Sequence, residues 1–136
     1  MAAVLNFGYT NWTKSHCNTH NKHHFQGIHY GYKKKFNITV EREISLSDTN
    51  LHIKDTISGM KKNTVIQQIW NSKETFIKKN PFIFISPSSK ISSTITGSLQ
   101  NTYISDYYNS YIKNKQVCFE HKTSHKTIIK TIIEAR

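Results

Sequence analysis

Five of the eight histidines crowd between residues 16 and 29, with a cysteine among them. The cluster consists of His16, His20, His23, His24 and His29, together with Cys17. Neutral imidazoles and a thiolate are ligands that zinc prefers. If the segment were helical, His16 and His20 would share one face, as would His20 and His24. No second cysteine or carboxylate completes a recognised spacing nearby. The cluster is therefore either a dedicated metal site or a loop that binds metals adventitiously.

A basic run next to aromatic residues suggests a different chemistry. Lys33, Lys34 and Lys35 follow Tyr30 and Tyr32. Such residues could contact phosphates and stack on bases, which gives a nucleic-acid-binding interpretation. No helix-turn-helix, zinc-finger or RNA-recognition signature accompanies the run. The Gly-x-Ser-x-Gly pattern of serine hydrolases is absent too, so the sequence predicts no catalytic triad.

The formal net charge of +11 comes almost entirely from lysine, since Arg42 and Arg136 are the only arginines. Such a chain attracts polyanions, whether nucleic acid, an anionic membrane surface or an acidic polysaccharide. AT-rich codons would also produce an abundance of lysines, and lysines commonly form a solvated face. Net charge alone therefore does not choose among these partners.

No stretch approaches the ~20 apolar residues of a membrane span, and no signal-peptide pattern begins the chain, so we predict no membrane insertion. Cys17 and Cys118 match no short metal or redox spacing, and we expect structural, partly buried thiols.

The clearest pattern is the alternation of apolar and polar residues over 37–46, which predicts a half-buried strand. Arg42 interrupts the apolar face, so it needs a partner or lies near an edge. A turn at 48–50 and renewed alternation over 51–57 complete a β-hairpin.

The remaining predicted strands are short and rich in β-branched or aromatic residues. They cover 64–70, 82–85, 117–121 and 127–133, with a loop or weak strand at 88–98. Short strands separated by turns, with no convincing amphipathic helix, predict an all-β protein built as an antiparallel β-sandwich or stacked sheets. We expect one domain over 1–136, with an irregular or edge segment at 1–26 and a strand meander at 27–136.

Several segments, in order, resemble motifs of the heparinase II/III-like polysaccharide lyases, in which an α/α toroid precedes a carboxy-terminal β-sandwich. The resemblance covers about residues 5–133. Residues 27–32 look like Ala-x-His-Asp-Gly-Tyr, 41–44 like His-x-Arg-x-Val, 51–59 like Leu-x-Ile-x-Asp-x-Ile-x-Gly, 68–71 like Phe-His-Leu-x-Pro, 104–108 like Ile-Ser-x-x-Tyr, and 131–133 like Thr-x-Ile.

The resemblance implies the carboxy-terminal sandwich of an enzyme that cleaves uronic-acid-containing glycans by β-elimination. His29 resembles a family metal ligand, so a divalent metal such as zinc or calcium is the implied cofactor. Tyr30, Tyr32, Lys33 and Arg42 are the candidate contacts for an acidic polysaccharide, although the first expectation for Tyr32 is a core aromatic.

The departures from the family pattern concern catalysis. Tyr30 stands where the family often has Asp, and Asn71 departs from the family's strand. The family's His-Asn-Thr segment would precede Met1, and the toroid that supplies a Tyr acid/base and an Asn lies outside this chain. We therefore expect no catalytic residue here and no activity of the chain alone. Membership would imply a periplasmic or extracellular location. The alternative is a small basic module that binds polyanions or nucleic acid.

Overall fold

The computed structural model describes residues 4–5, 8–9, 15–105 and 107–136. Within them the chain is almost entirely antiparallel β-structure, which confirms the predicted fold class. The elements are β1 (Val4–Leu5), β2 (Gly8–Tyr9), β3 (Ser15–His20), β4 (His24–His29), α1 (Lys33–Phe36), β5 (Thr39–Leu46), β6 (Asn50–Ser58), β7 (Thr64–Trp70), β8 (Ile77–Asn80), β9 (Ile83–Ile85), β10 (Ser89–Ser93), β11 (Gly97–Ile104), β12 (Ile112–Thr123) and β13 (Thr127–Ala135).

An eight-stranded sheet has the order β3-β4-β5-β6-β13-β10-β9-β8, and a three-stranded sheet has the order β11-β12-β7. Strands β1 and β2 pair with each other. The chain divides into two compact units. The first contains the described residues up to Thr64 and residues 123–130, and the second contains 65–122 and 131–136. The closing strand β13 therefore contributes to both units.

In the first unit, tight turns set the register of consecutive strands. The backbone N–H of Asn21 donates to His24 O at 2.8 Å and joins β3 to β4, while that of Ser47 donates to Asn50 O at 2.9 Å and joins β5 to β6. Strand β6 buries Ile53, Asp55 and Ile57, whose spacing of two residues puts them on one face. The register thereby determines which side chains of β5 meet a buried partner.

Gly59 ends β6 with a positive φ of 90°, which strongly favours glycine. A Cβ atom at this position would lie 2.1 Å from the carbonyl oxygen of Asn37. The backbone of Gly59 thus lies directly against Asn37, two residues before β5 begins.

The second unit has its own core, in which Phe84 of β9 and Phe119 of β12 are fully buried. Their rings make an edge-to-face contact with a centroid separation of 5.5 Å. Thr131 is also fully buried, and its hydroxyl donates to Gln68 Oε1 at 2.7 Å, so this polar group has a partner in the core.

The sequence missed several elements that the structure contains. Strand β11 was not predicted, although the segment 88–98 was expected to be a loop or weak strand and in fact includes β10 and the start of β11. The four-residue helix α1 was not predicted either, because a single turn has no amphipathic period to detect. No helix among the described residues is both long and apolar enough to span a bilayer.

Candidate functional site

A groove of about 460 Å³ lies open on the first unit and contains three of the five residues predicted to form a site. These are His29, Tyr32 and Arg42. The remaining lining residues come from β3, β4 and β5: Ser15, His16, Cys17, Phe25, Gly27, Ile28 and Val40.

Strand register explains the composition of the groove floor. Cys17 pairs with Gly27 and Gly27 with Arg42, so these three positions form one row across β3, β4 and β5. Directly paired residues of an antiparallel sheet project to the same face. Gly27 contributes no side chain to the row, and the ring of Phe25 lies over it, since a Cβ atom on Gly27 would come 2.8 Å from Phe25 Cζ.

Arg42 binds the next strand through two parallel hydrogen bonds. Its Nε donates to Asp55 Oδ1 at 2.6 Å and its Nη2 donates to Asp55 Oδ2 at 2.7 Å. The hydrogen bond with Asp55 raises the pKa of Arg42, so the guanidinium stays charged. The side chain of Asp55 is 5% exposed and that of Arg42 is 42% exposed, so Arg42 keeps contact with the groove while it neutralises a buried carboxylate. The predicted partner of Arg42 is confirmed.

His29 and Tyr32 form the other part of the groove. Their rings meet edge to face with centroids 5.7 Å apart. Tyr32 lies at the start of α1, where its carbonyl accepts from Phe36 N at 2.9 Å, and its side chain is 37% exposed. The expectation that Tyr32 is a core aromatic is therefore wrong: it is a surface ring of the groove.

Tyr30 and Lys33 do not line this groove. The Nζ atom of Lys33 lies 5.4 Å from the centroid of the Tyr30 ring, a cation–π contact that occupies one face of that ring. Lys35 covers Phe36 in the same way at 5.3 Å. Two aromatic rings of this segment therefore each have one face beside a lysine of the same run.

The histidine cluster lies on the paired strands β3 and β4 and the turn between them, so the helical spacing considered for His16, His20 and His24 does not arise. His16 and His29 both border the groove. Within the described part of the chain, no three His, Cys, Asp or Glu side chains come together in a way that could hold a metal ion. The described histidines and Cys17 thus do not by themselves form a three-ligand zinc site.

The two cysteines differ in environment. Cys118 is buried, as expected for a structural thiol, and desolvation raises its pKa, with a further contribution from Glu120. Cys17 is exposed at the groove, contrary to the expectation of a partly buried thiol.

Residues that sequence reasoning missed are the groove-lining Ser15, Phe25, Gly27, Ile28 and Val40. Their types carry no chemical signature. Only the pairing of β3, β4 and β5 brings them together.

The fold and groove define an antiparallel β-sheet protein with an open, partly cationic surface cleft. Solved structures with this fold include a heparinase III with methylated lysines, at a TM-score of 0.73 and 15% identity, covering 98% of this chain and 23% of that one. A heparan sulfate lyase, HepC from Pedobacter heparinus, is similar at a TM-score of 0.74 and 13% identity, covering 90% of this chain and 22% of that one.

These likenesses confirm the predicted resemblance at the level of the fold. The chain spans less than a quarter of the length of either lyase. No family model matches the sequence, and no curated protein matches it either.

Proposed function

We propose that this chain is the carboxy-terminal β-sandwich portion of a polysaccharide lyase and that its groove forms one wall of a cleft for an acidic, uronic-acid-containing glycan. The observation that carries the proposal is the likeness of nearly the whole chain to structures named heparinase III and heparan sulfate lyase. The net charge of +11 supports it, because a cationic surface concentrates an anionic polymer.

The groove residues have chemically distinct tasks in this proposal. The exposed ring of Tyr32 offers an apolar face and a hydroxyl to a sugar, and its contact with His29 restricts its orientation. The guanidinium of Arg42 is held by Asp55 in a fixed direction, as a carboxylate- or sulfate-binding group requires. Because Asp55 neutralises part of its charge, the exposed lysines supply most of the long-range attraction.

β-Elimination at a uronic acid needs three groups. The sugar carboxylate must be neutralised so that the adjacent proton becomes acidic, a base must remove that proton, and an acid must protonate the leaving oxygen. The proposal assigns the base and acid to groups outside this chain. When the isolated chain is incubated with heparan sulfate, ultraviolet absorbance from unsaturated uronic products should not rise. Robust turnover would contradict this assignment.

Binding is the direct test of the groove. Calorimetry with size-defined heparan sulfate fragments should show that Tyr32→Ala weakens affinity by about fivefold, since one well-placed aromatic contact contributes about 1 kcal/mol. His29→Ala should weaken binding less, because its main effect is to release Tyr32. His52→Ala, an exposed histidine of β6 outside the groove, is the matched control and should bind like the parent. Parent-like affinity of Tyr32→Ala would remove the groove from the proposal.

We also propose that His29 binds a divalent metal and that the chain is exported from the cytoplasm. Since the described residues offer no complete donor set, no catalytic step is assigned to a metal. Titration with zinc should show weaker binding to His29→Ala than to the parent if His29 is a ligand. Equal affinities would exclude His29 from any zinc site.

A further inference from the structure

Four tyrosines at the β11–β12 connection project into solvent. Tyr103 is 64% exposed, Tyr107 76%, Tyr108 94% and Tyr111 74%. These four residues make up the tyrosine patch. Aromatic rings left in water forgo the free energy of burial, and clusters of exposed rings often mark interaction surfaces.

An ordered turn presents the patch. The backbone N–H of Ser110 donates to Tyr107 O at 3.1 Å, and the hydroxyl of Ser105 donates to the same oxygen at 2.7 Å. Asn109 adopts a left-handed conformation with φ of 60°, which asparagine tolerates better than most residues. Tyr108 therefore lies at the apex of a defined turn.

One face of the hairpin near this turn already has a protein partner. Asn114 donates from Nδ2 to Ser72 O at 2.6 Å and accepts from Thr75 Oγ1 at 3.3 Å. Asn114 pairs with Thr102, so this is the face that carries Thr102 and Asn114. Segment 72–75 lies against it.

The opposite face carries charge beside the aromatic rings. Tyr103 pairs with Lys113, and Asn101 pairs with Lys115, and all four side chains are exposed. Because residues two apart in a strand project to the same face, Lys113 and Lys115 lie in line about 7 Å apart next to Tyr103. This face therefore places Tyr103 beside Lys113 and Lys115, with no carboxylate among the four positions.

We propose that the tyrosine patch, with Lys113 and Lys115, is a second contact surface for an acidic glycan, in addition to the groove of the first unit. The inference rests on the proposed function and extends it to the second unit. An apolar tyrosine face fits the C–H face of a pyranose ring, while the hydroxyl can bond to sugar hydroxyls. The ammonium groups complement carboxylate or sulfate at regular spacing along the polymer. This charge complementarity favours an anionic glycan over an apolar protein partner.

The test compares paired variants by calorimetry with heparan sulfate fragments at low salt. Tyr103→Ser/Tyr108→Ser should weaken binding about tenfold, and Tyr103→Phe/Tyr108→Phe should retain most of the affinity because the rings remain. Lys113→Gln/Lys115→Gln should weaken binding and reduce its salt dependence, because fewer ion pairs form. Ile77→Ser, a residue of the second unit that is 71% exposed, controls for lost apolar surface, and Lys61→Gln/Lys62→Gln controls for lost charge.

The outcomes separate this inference from the proposal for the groove. If the serine pair binds like the parent while Tyr32→Ala binds weakly, the second surface is overturned and the groove remains. If the serine pair binds weakly while Tyr32→Ala binds like the parent, the second surface is supported and the proposal for the groove is overturned. No binding to the parent overturns both.

Two further results would overturn the glycan assignment itself. One is tighter, patch-dependent binding of an oligonucleotide than of a glycan of equal charge. The other is sedimentation that shows self-association of the parent, its loss in the serine pair and unchanged glycan affinity. In that case the patch would be a contact between copies of the chain.

Discussion

Arg42 of β5 and Asp55 of β6 face each other across the sheet and share two hydrogen bonds, of 2.6 and 2.7 Å. The pair joins the groove to the interior, because one partner is half-exposed and the other is buried. The sequence predicted that Arg42 either has a partner or lies near an edge, and the strand register supplies Asp55 as the partner. The same contact thus stabilises the fold and fixes the direction of the guanidinium group.

Arg42→Gln should lower the free energy of unfolding by about 2–3 kcal/mol, since it leaves the buried carboxylate of Asp55 without its cation. The expected loss of stability is smaller than the loss that follows when a fully buried ion pair is broken, because Arg42 is half-exposed. Urea unfolding measures the difference. Lys54→Gln is the matched control: it breaks the pair with Glu43 on the same two strands, in which neither partner is fully buried, and should cost clearly less than Arg42→Gln. Equal losses in the two variants would contradict this account.

Gly97→Ala should destabilise the second unit by about 1–3 kcal/mol through overpacking. The added Cβ atom would lie 2.6 Å from Phe119 Cδ1 and 3.0 Å from Phe84 Cε2, and both rings are fully buried. Gly27→Ala provides the comparison, because the ring it meets is that of Phe25, which is 39% exposed and can move away. Thermal or urea unfolding should therefore rank Gly97→Ala as clearly more harmful, and the reverse order would refute the packing argument.

Glu74 should give the second unit a specific dependence on acid pH. Hydrogen bonds from the hydroxyl of Ser86 and from the backbone N–H and hydroxyl of Ser88 lower its pKa below the ordinary 4.5. A carboxyl group with a lowered folded-state pKa stabilises the fold above its unfolded pKa, and this contribution is lost as pH falls through the folded value.

Glu74→Gln should accordingly be less stable than the parent at pH 7, with a difference that narrows as pH falls below about 4.5. Ser88→Ala removes one of the donors and should show a smaller version of the same trend. Urea midpoints measured from pH 7 to pH 3 test both. An offset that stays constant over this range would show that the carboxylate is not selectively stabilised.

The two thiols should react at very different rates with a soluble disulfide reagent. Cys118 is 1% exposed and its pKa is raised by burial, so it presents little accessible thiolate, whereas Cys17 is exposed. We expect Cys17 to react in the native protein and Cys118 only after unfolding. Cys17→Ser should then lose the fast phase and keep the one revealed by denaturant. A fast phase that survives this substitution would contradict the burial of Cys118.

The sequence predicted those features of the fold that depend on local period and residue type. Alternation over 37–46 and 51–57 identified β5 and β6, and the β-branched run at 127–133 identified β13. The order of short motifs indicated the lyase-like fold. These signals are local because a half-buried strand must place every second side chain in the core.

The sequence underpredicted β11 because Gly97, Ser98 and Asn101 are poor strand formers. Strand β12 imposes the conformation: Gly97 pairs with Phe119, and its missing side chain leaves room for two buried rings. Packing across the sheet overrides the local preference.

The candidate site likewise combines features that the sequence predicted with features that only the structure revealed. His29, Tyr32 and Arg42 were recognisable by chemical type and by resemblance, and the structure places them at one groove. That Tyr30 and Lys33 lie outside the groove lining, and that the ring of Phe25 covers Gly27 in its floor, depended on strand register and on α1. The sequence alone determined which residues could bind an anion, because charge and aromaticity belong to the side chain. Only the tertiary structure decided which of them meet, because pairing between strands is set by packing at a distance along the chain.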